Sequence, residues 1–334
     1  MTTPASNVWM GLMLRAWTQQ MRNRVHQSVR GSKLMVSVIV TFMIGYWIFF
    51  TDLFWEGIHF LMGIPAIGEI LLNRMFYLLF AFLMSMLVSS CVIVGYTTFF
   101  KNRETQWMLT LPIPHQDVFR WKFLETTVLA SWAFLFLSGP LLLAYALYLR
   151  LGWGFLLGVG FIYFPFALIC SVMGTWILLF VVRMFHHRSG RKALFALAVA
   201  LLAATIWTFK PVDVEQLHEI QLTPLLNMLM KNSRHVAQPF LPSYWLGASI
   251  LSLSSHLWAK LIFFMLVTLS HCLLAMWSIW FLTGKLFYLN SSLVVDRVLH
   301  GSTVSRKPRA FAEWTGKLLL AFIPGVRKQV RAIL

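Results

Sequence analysis

Acidic residues are scarce in this chain: 11 Asp and Glu stand against 28 Lys and Arg among 334 residues. That scarcity argues against an ion pump or an intramembrane enzyme, both of which need titratable groups converging on one cavity. Cysteine is sparse as well. Cys91, Cys170 and Cys272 all lie inside apolar runs, which argues against a disulfide framework and reads the thiols as buried and free. No G-x-x-x-x-G-K-[ST] stretch occurs, and the Gly-Lys pairs at Gly284 and Gly316 are each followed by Leu; the usual phosphate cradle of nucleotide hydrolases is missing. The opening residues also lack a short apolar core followed by a small-residue cleavage site, so no secretory signal is read there.

What the chain has is apolar length. It is 59% hydrophobic and 12% charged, with a mean hydropathy of +0.72, too little polar surface to cover a water-soluble core. The reading is an all-α integral membrane protein. A bilayer core about 30 Å thick takes roughly 20 apolar residues as a helix. Six runs approach or exceed that length: Leu34 to Thr51, Met75 to Phe100, Phe123 to Leu149, Gly154 to Val182, Ala193 to Phe209 and Leu257 to Thr283. They are too long and too evenly apolar for barrel strands.

A net charge of +17 would normally suggest a nucleic-acid partner. Membrane insertion makes the inner ends of spans basic anyway, so no nucleic acid is implied. Fifteen basic residues fall at the inner ends if the N-terminus is inside, against six at the outer ends. That asymmetry selects an N-in, C-in topology. Residues 1–33 form the first region, where Val8, Trp9, Leu12, Met13 and Trp17 are spaced for an interfacial helix, the alternative being a disordered basic tail. Residues 34–284 form the six-helix domain, with an external segment at 210–256 that contains two short interfacial or re-entrant helices. Residues 285–334 return to an apolar-then-basic pattern, which fits either a cytoplasmic interfacial helix or the lead into a second membrane half.

Few residues within the runs suggest chemistry. His271 is the one mid-span ionisable group, read as hydrogen-bonded between helices rather than as a proton relay. His186 and His187 are adjacent, so on a helix they diverge by about 100 degrees and do not share a metal. No cofactor is implied. The Gly154-x-x-x-Gly158 spacing allows close helix approach, and Pro140 and Pro165 each remove a backbone hydrogen bond inside a run.

Charge gathers instead in "FFKNRETQWMLTLPIPHQDVFRWKFLE", Phe99 to Glu125. An apolar patch of Trp107, Met108, Leu109 and Leu111 precedes a double break at Pro112 and Pro114, a helix start at His115 to Asp117, and a basic return at Arg120 and Lys122. Proline fixes its own φ and disfavours helix in the residue before it. The segment is therefore expected to form a compact cytoplasmic knob. The charge rule alone asks for basic residues, not for an apolar patch beside Glu104 and Asp117.

This pattern of aromatic span end, Glu, "LTLPIP" and basic re-entry resembles the first cytoplasmic loop of type 2 ABC transporter permeases, above all the large bacterial exporter membrane subunits. The resemblance implies a loop, 101–122, that docks on an ABC ATPase subunit through Glu104, Leu109, Leu111, Pro112, Pro114 and Asp117. It also implies a location in the bacterial cytoplasmic membrane and a bundle completed by a second membrane half or a homodimer partner. The expected function is a permease subunit without its own ATPase site, coupling hydrolysis by a separate subunit to export. The alternative is a non-transporting membrane scaffold that binds a cytoplasmic partner through the same loop.

Overall fold

The computed structural model describes residues 33–65, 67–111, 113–186 and 238–304, with scattered positions at 11–23 and 192–200. Every regular element among them is helical. In chain order these are α1 (Lys33–Met62), α2 (Gly68–Tyr96), a π-helical turn (Thr97–Lys101), α3 (Arg103–Met108), α4 (His115–Tyr148), α5 (Trp153–His186), α6 (Pro242–Ser254) and α7 (Trp258–Val304). Five helices are long and apolar enough to cross a membrane, beginning at Lys33, Gly68, His115, Trp153 and Trp258. This is the architecture of a multi-pass membrane protein. The run from Ala193 to Phe209, and the external segment before residue 238, lie largely outside the described residues.

The spans are longer than the apolar runs that announce them. α1 continues from Thr51 to Met62 and takes in Asp52 and Glu56, because Trp55 and Ile58 still find neighbours there: Ile58 is buried in the core and Trp55 meets Tyr148 edge-on at 5.7 Å. α2 begins at Gly68, so Glu69 and Arg74 are helical too. α4 starts at His115, eight residues before the apolar run at Phe123, and α7 runs on to Val304. Helical hydrogen bonding does not stop where hydrocarbon stops; it stops where packing and caps stop.

The chain divides into two compact units, Met1–Tyr288 and Leu289–Leu334. The first holds the bundle. Its centre is α2, which packs against α5, α4 and α6, while α1 lies along α4. Phe80, Cys91, Ala130, Phe166 and Cys170 are fully enclosed there. Lipid tails are as apolar as Leu, so helices in a membrane are held by close packing and hydrogen bonds rather than by expulsion from water. Gly174 on α5 shows this: a Cβ there would lie 2.6 Å from Cys91 Cβ and 3.0 Å from the Val88 carbonyl oxygen of α2. Of the Gly154/Gly158 pair, only Gly158 meets a neighbour, the Leu253 side chain of α6. His271 is bonded within its own helix, Nδ1 donating to the Val267 carbonyl at 2.8 Å, with its ring 4.5 Å from Trp245.

Two chain reversals are built alike. α4 and α6 each end in a left-handed residue, Arg150 at φ 53° and His256 at φ 54°. Each is followed by the long bond of a Schellman motif, from Leu151 N–H to the Ala146 carbonyl at 2.8 Å and from Leu257 N–H to the Ser252 carbonyl at 2.9 Å. The two ends are joined at 2.9 Å between the Tyr145 and Ser254 hydroxyls. Ser254 spends its own proton on the Leu251 carbonyl, so Tyr145 is the donor.

Candidate functional site: the proline-broken knob

The segment between α2 and α4 is a folded object, and its sequence accounts for each bend. Past Tyr96 the helix widens into the π-helical turn, which frees carbonyls that must find donors elsewhere. Thr105 Oγ1 donates to the Thr98 carbonyl at 2.7 Å, and Gln106 Nε2 to that of Phe100 at 3.4 Å. Asn102 then caps α3, its Oδ1 accepting from Glu104 N–H at 3.1 Å. α3 lasts six residues. Its exit is tightened by Thr110 Oγ1 donating to the Trp107 carbonyl at 2.7 Å and by Ile113 N–H donating to that of Leu111 at 2.7 Å. Pro114 flanks the start of α4, and Asp117 occupies its first turn, where a carboxylate suits the exposed N–H groups.

Beneath these turns lies a small core of its own. Met108, Ile113, Val118 and Trp121 are buried together, with Leu109, Leu111 and Trp17 packed on them. Trp17 meets Trp121 edge-on at 6.5 Å, so a residue expected in the N-terminal interfacial region rests against the knob; the other residues named for that region, Val8, Trp9, Leu12 and Met13, lie outside the described ones. A second, aromatic layer joins the knob to the bundle. Phe99 stacks on Phe119 at 5.3 Å, and Phe287 of α7 meets both, at 5.7 and 5.4 Å.

Charge completes the joint. Lys122 is 0% exposed, yet its ammonium donates to Glu125 Oε2 at 2.8 Å and lies 3.3 Å from Glu104 Oε2. A cation removed from water is tolerated only when paired so closely. It ties α3 to α4. Arg120 pairs with Asp117 at 3.4 Å and lays its guanidinium 5.1 Å over the Trp280 ring of α7.

The residues named from the sequence are thereby sorted. Glu104 is half-exposed at 36% and faces Lys122. Leu109 and Leu111 are half-buried on the knob's core, and Asp117 is buried against Arg120. Pro114 is exposed, and Pro112 lies outside the described residues. The apolar patch narrows to one side chain, because Met108 points inward while Trp107 is 60% exposed. Arg103, Gln106 and Thr110 are exposed beside it. Lys122 is the residue whose role the sequence reading missed; its spacing to Glu125, three residues on, was the available signal.

Residues 27–331 match the model of a protein family described as "Putative ATP-binding cassette". No curated protein and no solved structure matches. The match corrects two expectations. The chain was read as a permease subunit, or else a scaffold, without an ATPase site of its own; the family description names the nucleotide-handling cassette and not a permease. The permease expectation rests on the likeness of one loop and the pattern of spans, and the expectation of no ATPase site on the absence of one short phosphate-binding motif, whereas the match extends over residues 27–331.

Proposed function

The chain belongs to this ATP-binding cassette family, and on that premise we propose that it is a membrane-embedded component of an ATP-binding-cassette transport system whose 101–122 knob is a point of mechanical contact with a nucleotide-binding domain. The observation that carries the reading is the buried Lys122. It fastens α3 to α4 through Glu104, while Glu125 holds the ammonium within α4, so a force applied to the tip moves the end of a 34-residue helix rather than bending a loop. The exposed Trp107, set in a polar rim of Arg103, Gln106 and Thr110, has the form of an interface anchor. In this reading the knob faces the cytoplasm, in keeping with the basic residues around it. The contact surface comprises Trp107 and Pro114, with Glu104, Leu109, Leu111 and Asp117 shaping and flanking it; Pro112, named from the sequence for the same contact, lies outside the described residues.

The test is Trp107→Asp in the protein isolated from membranes together with whatever it assembles with. Vanadate-sensitive ATP hydrolysis by that preparation should fall at least tenfold, on the order of 1.4 kcal/mol or more of lost coupling, while the unfolding temperature stays unchanged. Undiminished hydrolysis in a fully folded variant would rule the contact out.

A further inference from the structure

A groove of about 930 Å³ opens between α1 and α4, within the range that drug-sized ligands occupy. Trp47, Ile48 and Leu143 make it apolar, and Thr51, Asp52 and Trp55 line it too. Trp47 also lines a more enclosed cavity of about 470 Å³ that reaches in to Phe80, Tyr163 and Leu246. Met43 and Leu143 line both as well, so these three side chains stand between the outer groove and the interior of the bundle. Gly139 makes room for it, since a Cβ there would stand 2.6 Å from Trp47 Cη2.

Lipid contact accounts for the apolar walls but not for Asp52. α1 runs without charge from Leu34 to Thr51, about 27 Å at the helical rise, close to the thickness of a bilayer's hydrocarbon core. Asp52 is the first charge beyond that stretch, and it forms no ion pair among the described residues. Beside it, the Thr51 hydroxyl oxygen is buried without a hydrogen-bond partner. An acyl chain leaves the buried Thr51 hydroxyl unmatched and gives the Asp52 carboxylate no counter-charge, and an anionic headgroup is repelled by that carboxylate. An organic cation matches them. Its charge is offset by Asp52 and by the ring faces of Trp47 and Trp55, and its apolar body fills the groove below.

We infer that the α1–α4 groove is a binding site for amphipathic organic cations, with an ammonium or phosphonium centre held at Asp52 and an aromatic or aliphatic body laid against Trp47. The site does not depend on the knob or on nucleotide.

Tetraphenylphosphonium is the probe, titrated against the full chain in phosphatidylcholine nanodiscs by equilibrium dialysis. Saturable binding is expected, weakened tenfold or more by Asp52→Asn. That substitution keeps the side chain's shape at an exposed position, so the fold should survive and an unchanged unfolding temperature will verify it. Glu56→Gln, one turn further along but outside the groove lining, should alter affinity less than twofold. Tetraphenylborate, the anion of the same shape, should not saturate. Equal binding by the Asp52 variant, equal loss on changing Glu56, saturation by the anion, or no saturable binding in choline-headed lipid would each overturn the site.

Discussion

Lys122 is a cation with no access to solvent, held by two carboxylates on different helical pieces. Removing one member of a buried ion pair leaves the others uncompensated, which typically costs about 3–5 kcal/mol. Because Glu104 is 36% exposed and water screens that half of the triad, Lys122→Met should fall at the low end, about 3 kcal/mol. The measurement is thermal unfolding in detergent micelles, and adding Glu125→Gln to Lys122→Met should recover more than half of the loss. A double variant no more stable than the single one would mean that Lys122 stabilises by packing its stem rather than by charge. Such a residue is hard to read in a sequence. Lys122 was legible as one of the basic residues marking a span end, but whether an ammonium points to water or into a helix junction depends on Glu104, which lies eighteen positions away beyond two prolines. Trp107 and Met108 make the same point: adjacent apolar residues on a six-residue helix diverge by about 100 degrees, and only the packed partners decide which is inside.

At the scale of the elements, helices were legible where hydrocarbon demands them, because an apolar run of membrane length has few other solutions. Their ends were not. α1 outlasts its apolar run by eleven residues since Trp55 and Ile58 continue to pack. Nor did glycine spacing identify the closest crossing. Gly154 has nothing within 4 Å of a built Cβ, whereas Gly174 lies against the Cys91 side chain and the Val88 backbone. Gly174→Ala should therefore destabilise the bundle by about 1–3 kcal/mol, and Gly154→Ala should be neutral or stabilising by up to about 1 kcal/mol, the helix-propensity gain. Paired unfolding curves test the contrast, and a reversed order would show that α2 and α5 do not cross at Gly174.

For the whole molecule, the N-in, C-in orientation is a proposal drawn from charge counting, and its test is chemical. The three native thiols are almost fully enclosed, at 0%, 0% and 5% exposure for Cys91, Cys170 and Cys272, so a cysteine introduced at the exposed Thr110 reports without a cleaned background. A membrane-impermeant maleimide should label Thr110→Cys in inverted vesicles and leave it untouched in intact cells; the opposite pattern would turn the knob away from any cytoplasmic nucleotide-binding domain. The far end of the molecule then acquires a meaning of its own. α4 carries the knob at His115 and reaches Tyr148 at its other end, about 50 Å away at the helical rise. There, the Tyr145–Ser254 hydroxyl contact joins α4 to α6. Were the knob pushed as proposed, a rod clasped near its far tip would act as a lever, and the bundle would spread as tweezers do, widest where the push arrives and least at the clasp.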